Sequence, residues 1–162
     1  MGQVMTLDRL VRLRRRLARQ QRKVVFTNGT FDILHRGHIE YLAAARRMGD
    51  VLVVGLNTDA SIRRIKGKGR PINPARDRAA VLAALASVNY VALFADDTPL
   101  RMIRRLRPDV LVKGADWKKS QIVGAEDVER SGGVVKTVRL TPGRSTTGTI
   151  GRILRAHRRR LI

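Results

Sequence analysis

The chain has 162 residues, 43% of them apolar, and no cysteine. That suits one domain around one core and excludes disulfides and thiolate metal sites. Its formal net charge is +21, with 34 basic against 13 acidic side chains, so the expected partners are polyanions: nucleotides, phosphosugars, nucleic acid or acidic surfaces.

Residues 1–23 hold eight basic and one acidic side chain, and residues 152–162 hold five basic and none acidic. Leu7, Leu10, Val11, Leu13 and Leu17 recur at helical spacing, which predicts a basic amphipathic helix over about 5–22. Lys23–Thr27 reads as a short buried strand. A glycine-containing loop and a helix over about 35–47 follow, and Val51–Leu56 is a second buried strand. Residues 57–74, with Gly67, Gly69, Pro71 and Pro74, read mostly as loop. A helix over 75–87, a strand over 89–94 and a helix opened by Thr98-Pro99 come next. Then come a strand over 109–113, a helix near 121–131, a strand over 134–139, and a last basic helix from Ser145 to 162. No apolar run approaches the roughly 18 residues of a membrane helix. The first apolar patch is short and broken by arginines, so no leader is expected. A cytoplasmic protein without membrane insertion is the default expectation.

Alternating strands and helices predict an α/β fold with a five-stranded parallel sheet covered on both faces. Ligands of such sheets sit beyond the carboxyl ends of the strands, where strand order reverses. The polar and glycine-rich segments cluster there: Asn28–His38, Asn57–Arg70, Lys113–Trp117 and Gly143–Thr147. Neither a P-loop nor a dinucleotide glycine motif is present.

His35-Arg36-Gly37-His38 stands out among these. Two histidines three apart share one face of a helical first turn, and a helix N-terminus offers free N–H groups to an anion. Gly37 would keep that approach open. The same residues also read as a simple helix cap, or as a zinc site completed by a carboxylate or His157. Ser145-Thr146-Thr147 reads as an N-cap or as a holder of outer phosphates. Lys66, Lys68 and Arg70 read as solvated loop or as a clamp on a phosphorylated substrate, and Lys113-Gly114 has the same two readings.

Thr27-Asn28-Gly29-Thr30-Phe31-Asp32 followed by His35-Arg36-Gly37-His38 resembles the G-x-F-D and H-x-G-H signatures of the cytidylyltransferase-like superfamily. The resemblance runs over roughly residues 20–155. It is nearest to the D-glycero-β-D-manno-heptose 1-phosphate adenylyltransferases of ADP-heptose synthesis. Asn57–Ser61, Lys66-Gly67, Arg70–Pro74, Arg78, Leu111–Trp117 and Ser145–Thr147 support it. It implies a Rossmann-like three-layer nucleotidyltransferase domain spanning the chain. In the implied reaction a sugar 1-phosphate attacks the α-phosphorus of ATP and pyrophosphate leaves, with Mg²⁺ on the phosphates. It further implies that His35 and His38 stabilise the α-phosphate, and that Lys66 binds the attacking or transferred phosphate. Asn28, Gly29, Thr30, Phe31, Asp32, Gly37, Lys113, Gly114, Asp116, Ser145, Thr146 and Thr147 would line the nucleotide. Asn57, Asp59, Arg70 and Arg78 would meet the second substrate. A homodimer, and a separate kinase supplying the sugar phosphate, follow from the same resemblance. Thr30 and Trp117 stand where family members often carry Cys or Val, and Tyr; the +21 charge is also not a family trait. Two alternatives compete: a cytidylyltransferase acting on glycerol 3-phosphate or a similar alcohol, and a nucleic-acid binder on this scaffold. Six aromatic residues supply few stacking platforms for the latter, so only non-specific electrostatic contact with nucleic acid is expected.

Overall fold

A computed structural model describes residues 1–159. In chain order its elements are β1 (Gln3–Val4), α1 (Leu7–Arg19), β2 (Val24–Gly29), α2 (Arg36–Arg46), β3 (Val51–Asn57), α3 (Asp59–Lys66), α4 (Ala75–Ala84), β4 (Tyr90–Phe94), α5 (Leu100–Leu106), β5 (Val110–Gly114), a 3-10 turn (Lys119–Gln121), α6 (Ala125–Arg130), β6 (Val134–Val138) and α7 (Thr146–Arg158). The expected end of the last helix, residues 160–162, lies outside the described residues.

All strands are parallel, in the order β1-β4-β3-β2-β5-β6. The sheet therefore has six strands where the sequence predicts five. The additional one, β1, is two residues long and too short for any periodicity to show. It is held at the edge by pairing of Gln3 with Tyr90 and Val4 with Val91. Gly2 lets the chain enter, because a Cβ there would lie 2.4 Å from the carbonyl oxygen of Val88.

One apolar cluster packs α1, α5 and α6 on one side of the sheet, through Leu10, Leu17, Met102, Ile103, Leu106 and Val128. The other packs α2 and α4 against it through Tyr41, Leu42, Ala45, Ala79 and Leu82. Each fully buried Leu or Ile here contributes about 1.5–3 kcal/mol of transfer free energy, which makes the three layers the scaffold for everything at the strand ends. Helix α1 is narrower than expected. It starts where the Thr6 hydroxyl accepts the Arg9 N–H, with Asp8 in the first turn and Arg16 and Arg19 in the last.

The segment 57–74 also departs from expectation, because its first half is helix α3. Thr58 caps it by accepting from the Ser61 N–H, Ile62 and Ser61 are buried, and the helix ends at Gly67 with φ 92°. The glycines and prolines further along mask that short signal in the sequence. Only the part beyond Lys66 is loop.

The chain runs from β2 outward through β3 to β4, then returns to place β5 on the other side of β2. The strand order reverses between β2 and β5, and the carboxyl ends beside such a reversal are where sheets of this kind bind ligands.

Candidate active site

The loop leaving β2 folds back on itself. Phe31 sits in the left-handed region (φ 41°), and its ring lies 3.0 Å from where a Gly29 Cβ would be. That ring meets His38 edge-on, with centroids 5.2 Å apart. His35 begins α2 from an extended backbone and makes no side-chain cap hydrogen bond. Its imidazole instead stacks on His38, with centroids 3.8 Å apart and planes 15° from parallel. The Nδ1 atoms of both rings are buried without a hydrogen-bond partner. Buried polar atoms are rarely left unpaired unless something else is to bind them. The capping reading therefore loses its bond. The metal reading lacks further ligands, since no group of three or more His, Cys, Asp or Glu able to hold an ion occurs among the described residues.

Burial lowers the pKa of both histidines. For His35 the charges of Arg144 and Arg152 add to burial, against an opposing bond to its own backbone. For His38 burial, then His35 and Lys66, bring it down to about 4. Both rings are neutral near pH 7, each with one N–H to donate. An arriving phosphate would reverse the local charge balance and draw protons onto the pair.

A second group of residues comes from α3 and the loop after it. The Lys66 ammonium lies 3.4 Å from the Thr30 hydroxyl, so α3 brings it to the β2 loop. Burial and Arg70 lower its pKa, and Asp32 opposes them. Asp32 is 2% exposed and fully engaged. It accepts from Arg70 Nε at 2.5 Å and from the Ile72 and Asn73 N–H groups at 2.8 and 2.9 Å. Burial raises its carboxyl pKa, but the bonds from Asn73, Ile72 and Arg70 together bring it below the ordinary range. Asp32 thus staples the two loops together. Arg70 keeps one buried nitrogen, Nη2, without a partner.

Arg78 is 2% exposed. It donates to the carbonyl oxygens of Thr30, Asn57 and Asn73 and to Asp59 Oδ1, at 2.6–2.9 Å. Asn57 also donates to Ser61 Oγ. Arg78, Asn57 and Asp59 are expected from the sequence to meet substrate. The structure spends the Arg78 guanidinium on joining the ends of β2 and β3, and holds Asn57 and Asp59 beside it.

At the end of β5, Lys113 Nζ donates to Asn28 Oδ1 at 2.5 Å, bridging β5 to β2 across the switch point. Burial lowers its pKa to about 8, and Asp116 opposes the shift. Gly114 admits the Asp116 carboxylate, which would lie 2.4 Å from a Cβ there. Beneath them the Tyr41 hydroxyl pairs with Thr27 Oγ1 and donates to the Val112 carbonyl oxygen, tying α2 to both central strands.

Ser145 caps α7 by accepting the Gly148 N–H, and Thr146 donates to the Ile33 carbonyl oxygen at 3.4 Å. Thr147 is exposed. Arg36, between the two histidines, turns outward to Glu40 at 2.6 Å, while Thr141 binds the other oxygen of Glu40. Two residues not anticipated from the sequence are also here. A Cβ on Gly37 would lie 3.2 Å from Arg144 Cβ, and Arg152 acts electrostatically on His35. A cavity of about 630 Å³ lies elsewhere, at the amino end of β5. In it the carboxylate of Asp109 pairs with Arg14, and that of Asp127 with Arg104 and Arg130.

The family model for cytidylyltransferase-like proteins matches residues 26–144. The bifunctional protein HldE of Magnetococcus marinus is 59% identical over 134 residues, which cover 83% of this chain and 28% of that protein. HldE of Citrifermentans bemidjiense is 50% identical over 156 residues, 96% of this chain and 32% of that one. The chain thus spans about a third or less of these curated relatives. The lipopolysaccharide core biosynthesis protein from Thermoplasma volcanium superposes with a TM-score of 0.61 at 31% identity, covering 74% of this chain and 97% of that one. Pantoate-beta-alanine ligase from Francisella tularensis superposes with a TM-score of 0.60 at 13% identity, a likeness of fold alone. The family match begins within β2 and reaches Arg144, so it encloses the stacked histidines, the α3 lysine and the β5 bridge. The chain belongs to the cytidylyltransferase-like family of nucleotidyltransferases.

Proposed function

We propose that this domain transfers the adenylyl group of ATP to a sugar 1-phosphate, D-glycero-β-D-manno-heptose 1-phosphate, giving ADP-heptose and pyrophosphate. The observation that carries the reading is the stacked histidine pair with two unpaired buried nitrogens at the switch point. The HldE name of the relatives supports the heptose substrate. An oxygen of the sugar phosphate forms a bond to the α-phosphorus. The bond from that phosphorus to the bridging oxygen breaks, and its electron pair leaves with pyrophosphate. His35 and His38 donate to the α-phosphate as charge builds on it, which is stabilisation by donors already in place. Lys66, held beside Thr30, aligns the attacking phosphate. Gly29, Phe31 and Gly37 let the nucleotide approach the backbone, Lys113 and Asp116 flank it, and Ser145, Thr146 and Thr147 face its outer phosphates.

Mg²⁺ is the proposed companion of ATP. The protein carboxylates do not form a cage for it: Asp32 is spent on Arg70 and two backbone N–H groups. The ion would be coordinated by phosphate oxygens and water, as is usual for Mg²⁺. A homodimer and a cytoplasmic setting belong to the same proposal. Among the described residues no helix is long and apolar enough to cross a membrane.

The test is pyrophosphate release with ATP or CTP against heptose 1-phosphate and glycerol 3-phosphate. Turnover with ATP and the heptose is expected. A strong preference for CTP with glycerol 3-phosphate replaces the assignment, and no turnover with any phosphorylated acceptor removes it.

A further inference from the structure

The chain contains no acidic residue after Glu129. The stretch from β6 onward therefore carries no acid of its own, and the charges of two of its arginines, Arg144 and Arg152, act on His35. The stem of Arg144 crosses the first turn of α2: its Cβ lies 3.2 Å from the position a Gly37 Cβ would take, and His35 Nδ1 lies 3.2 Å from the same point. Arg152 reaches back along α7 toward Ser145. Its Nη2 donates to Thr149 Oγ1 at 3.1 Å, and its Nη1 lies 3.8 Å from the Cβ position of Gly148. Both charges are felt at His35. Neither arginine has a carboxylate partner among the described residues, whereas Arg14, Arg36, Arg64, Arg70, Arg78, Arg101, Arg104, Arg105 and Arg130 all do. Glu40 feels the Arg144 charge, but its two oxygens are held by Arg36 and Thr141.

We propose that Arg144 and Arg152 form a cationic clasp for the outer two phosphates of the nucleotide and for the pyrophosphate that leaves. This rests on the nucleotidyl-transfer reading above and assigns the leaving group's partners within it. Two positive charges that both act on His35 repel each other, and an anion of high charge relieves that repulsion. The planar fork of arginine matches phosphate oxygens with paired N–H donors, which lysine cannot do. Gly37 puts no side chain against the Arg144 stem and His35, and Gly148 puts none against the Arg152 guanidinium. The clasp neutralises the electron pair that pyrophosphate takes from the α-phosphorus, so it acts on the bond that breaks and not on the acceptor.

The test uses the whole chain and titrates inorganic pyrophosphate, ATP and AMP calorimetrically against wild type, Arg144→Gln, Arg152→Gln and Arg155→Gln. Arg155→Gln removes the same charge from the same helix and is the control. Loss of a charged hydrogen bond predicts that each of the first two variants weakens pyrophosphate and ATP binding about 10-fold or more. AMP affinity should change less than about twofold. Arg155→Gln should track wild type, and Arg144→Lys should recover part of the loss, as a fork replaced by a point charge would. Unchanged pyrophosphate affinity in both variants overturns the clasp. So does an equal loss in Arg155→Gln, which would make the effect one of general field. ATP binding in wild type together with either result leaves the nucleotidyl-transfer reading standing; failure of wild type to bind ATP or pyrophosphate removes both. These side chains are surface-attached, and unchanged far-ultraviolet circular dichroism is expected throughout.

Discussion

Replacing Asp32 by Asn tests whether the site is held by a staple between two loops. The amide keeps one oxygen, so the N–H groups of Ile72 and Asn73 retain their acceptor. The other oxygen becomes an NH₂ group facing Arg70 Nε, which lies 2.5 Å from it in the native protein. Two donors then oppose each other where side-chain exposure is 15% for Arg70 and 0% for Asp32. Arg70 already has its Nη2 buried and unpaired. The lost charged hydrogen bond is worth about 1.5–3 kcal/mol, and an unsatisfied buried group adds about 1–3 kcal/mol. Breaking one side of a buried pair costs about 3–5 kcal/mol in all. For a chain of this size that lowers Tm by roughly 6–20 °C. Urea unfolding at pH 7 would measure it as a lower midpoint with an unchanged slope. The freed loop also carries Arg70 and adjoins Lys66, so KM for the sugar phosphate should rise more than KM for ATP. In the double variant Asp32→Asn/Arg70→Met the losses should be far from additive, because both remove the same contact. Stability within about 0.5 kcal/mol of wild type, together with an unchanged KM, would refute the staple.

Other consequences follow from the same geometry. Gly37→Ala places a methyl 3.2 Å from both Arg144 Cβ and His35 Nδ1, so the histidine stack must shift. Overpacking of this kind costs about 1–3 kcal/mol, and we expect kcat/KM for ATP to fall roughly 10-fold with a modest change in Tm; wild-type kinetics would show that the approach to His35 is not tight. His38→Ala should lower kcat by about 10²-fold or more, the scale of losing one transition-state donor, and normal turnover would remove the residue from the chemistry. His38 also sets a pH dependence of stability. Its pKa is lowered from 6.5 to about 4, so between those values the unfolded chain binds the proton that the folded one refuses. Stability is therefore intact above pH 6.5 and declines as pH falls toward 4. The full shift would amount to about 3 kcal/mol, and partial solvent exposure reduces it to roughly 1–2 kcal/mol. The wild-type minus His38→Gln difference in unfolding free energy at pH 7 and pH 4.5 measures it; a constant difference would show that the ring is not desolvated. Arg78→Met should destabilise by about 3–5 kcal/mol through the stranded Asp59 and three unpaired carbonyl oxygens.

Much of this architecture was legible in the sequence because it rests on local pattern. The buried runs Val24–Thr27 and Val51–Leu56 can satisfy their backbones only as inner strands, and Leu10 and Leu17 mark the buried stripe of α1. The position of His35 and His38 just beyond a strand end was likewise readable. Other features carried no such signal. The two-residue strand β1 exists only because β4 offers it an edge, and α3 is hidden by the glycines and prolines that follow it. Arg144 carried no sequence signal of its own, because its place over the first turn of α2 is a contact between segments more than a hundred positions apart.

Chain order alone thus determined that the polar motifs fall at strand ends and that two histidines open a helix. Whether a given polar residue faces the ligand or the scaffold was decided by the tertiary structure. Asp32 and Arg78 have the residue types of ligand contacts, yet folding surrounds them with donors and acceptors from segments up to 48 positions away. The histidines and Arg70 are left with buried nitrogens that no protein group completes. The difference is one of hydrogen-bond accounting in three dimensions: a polar group satisfied within the protein supports the site, and a buried one left unsatisfied is where we propose the ligand binds.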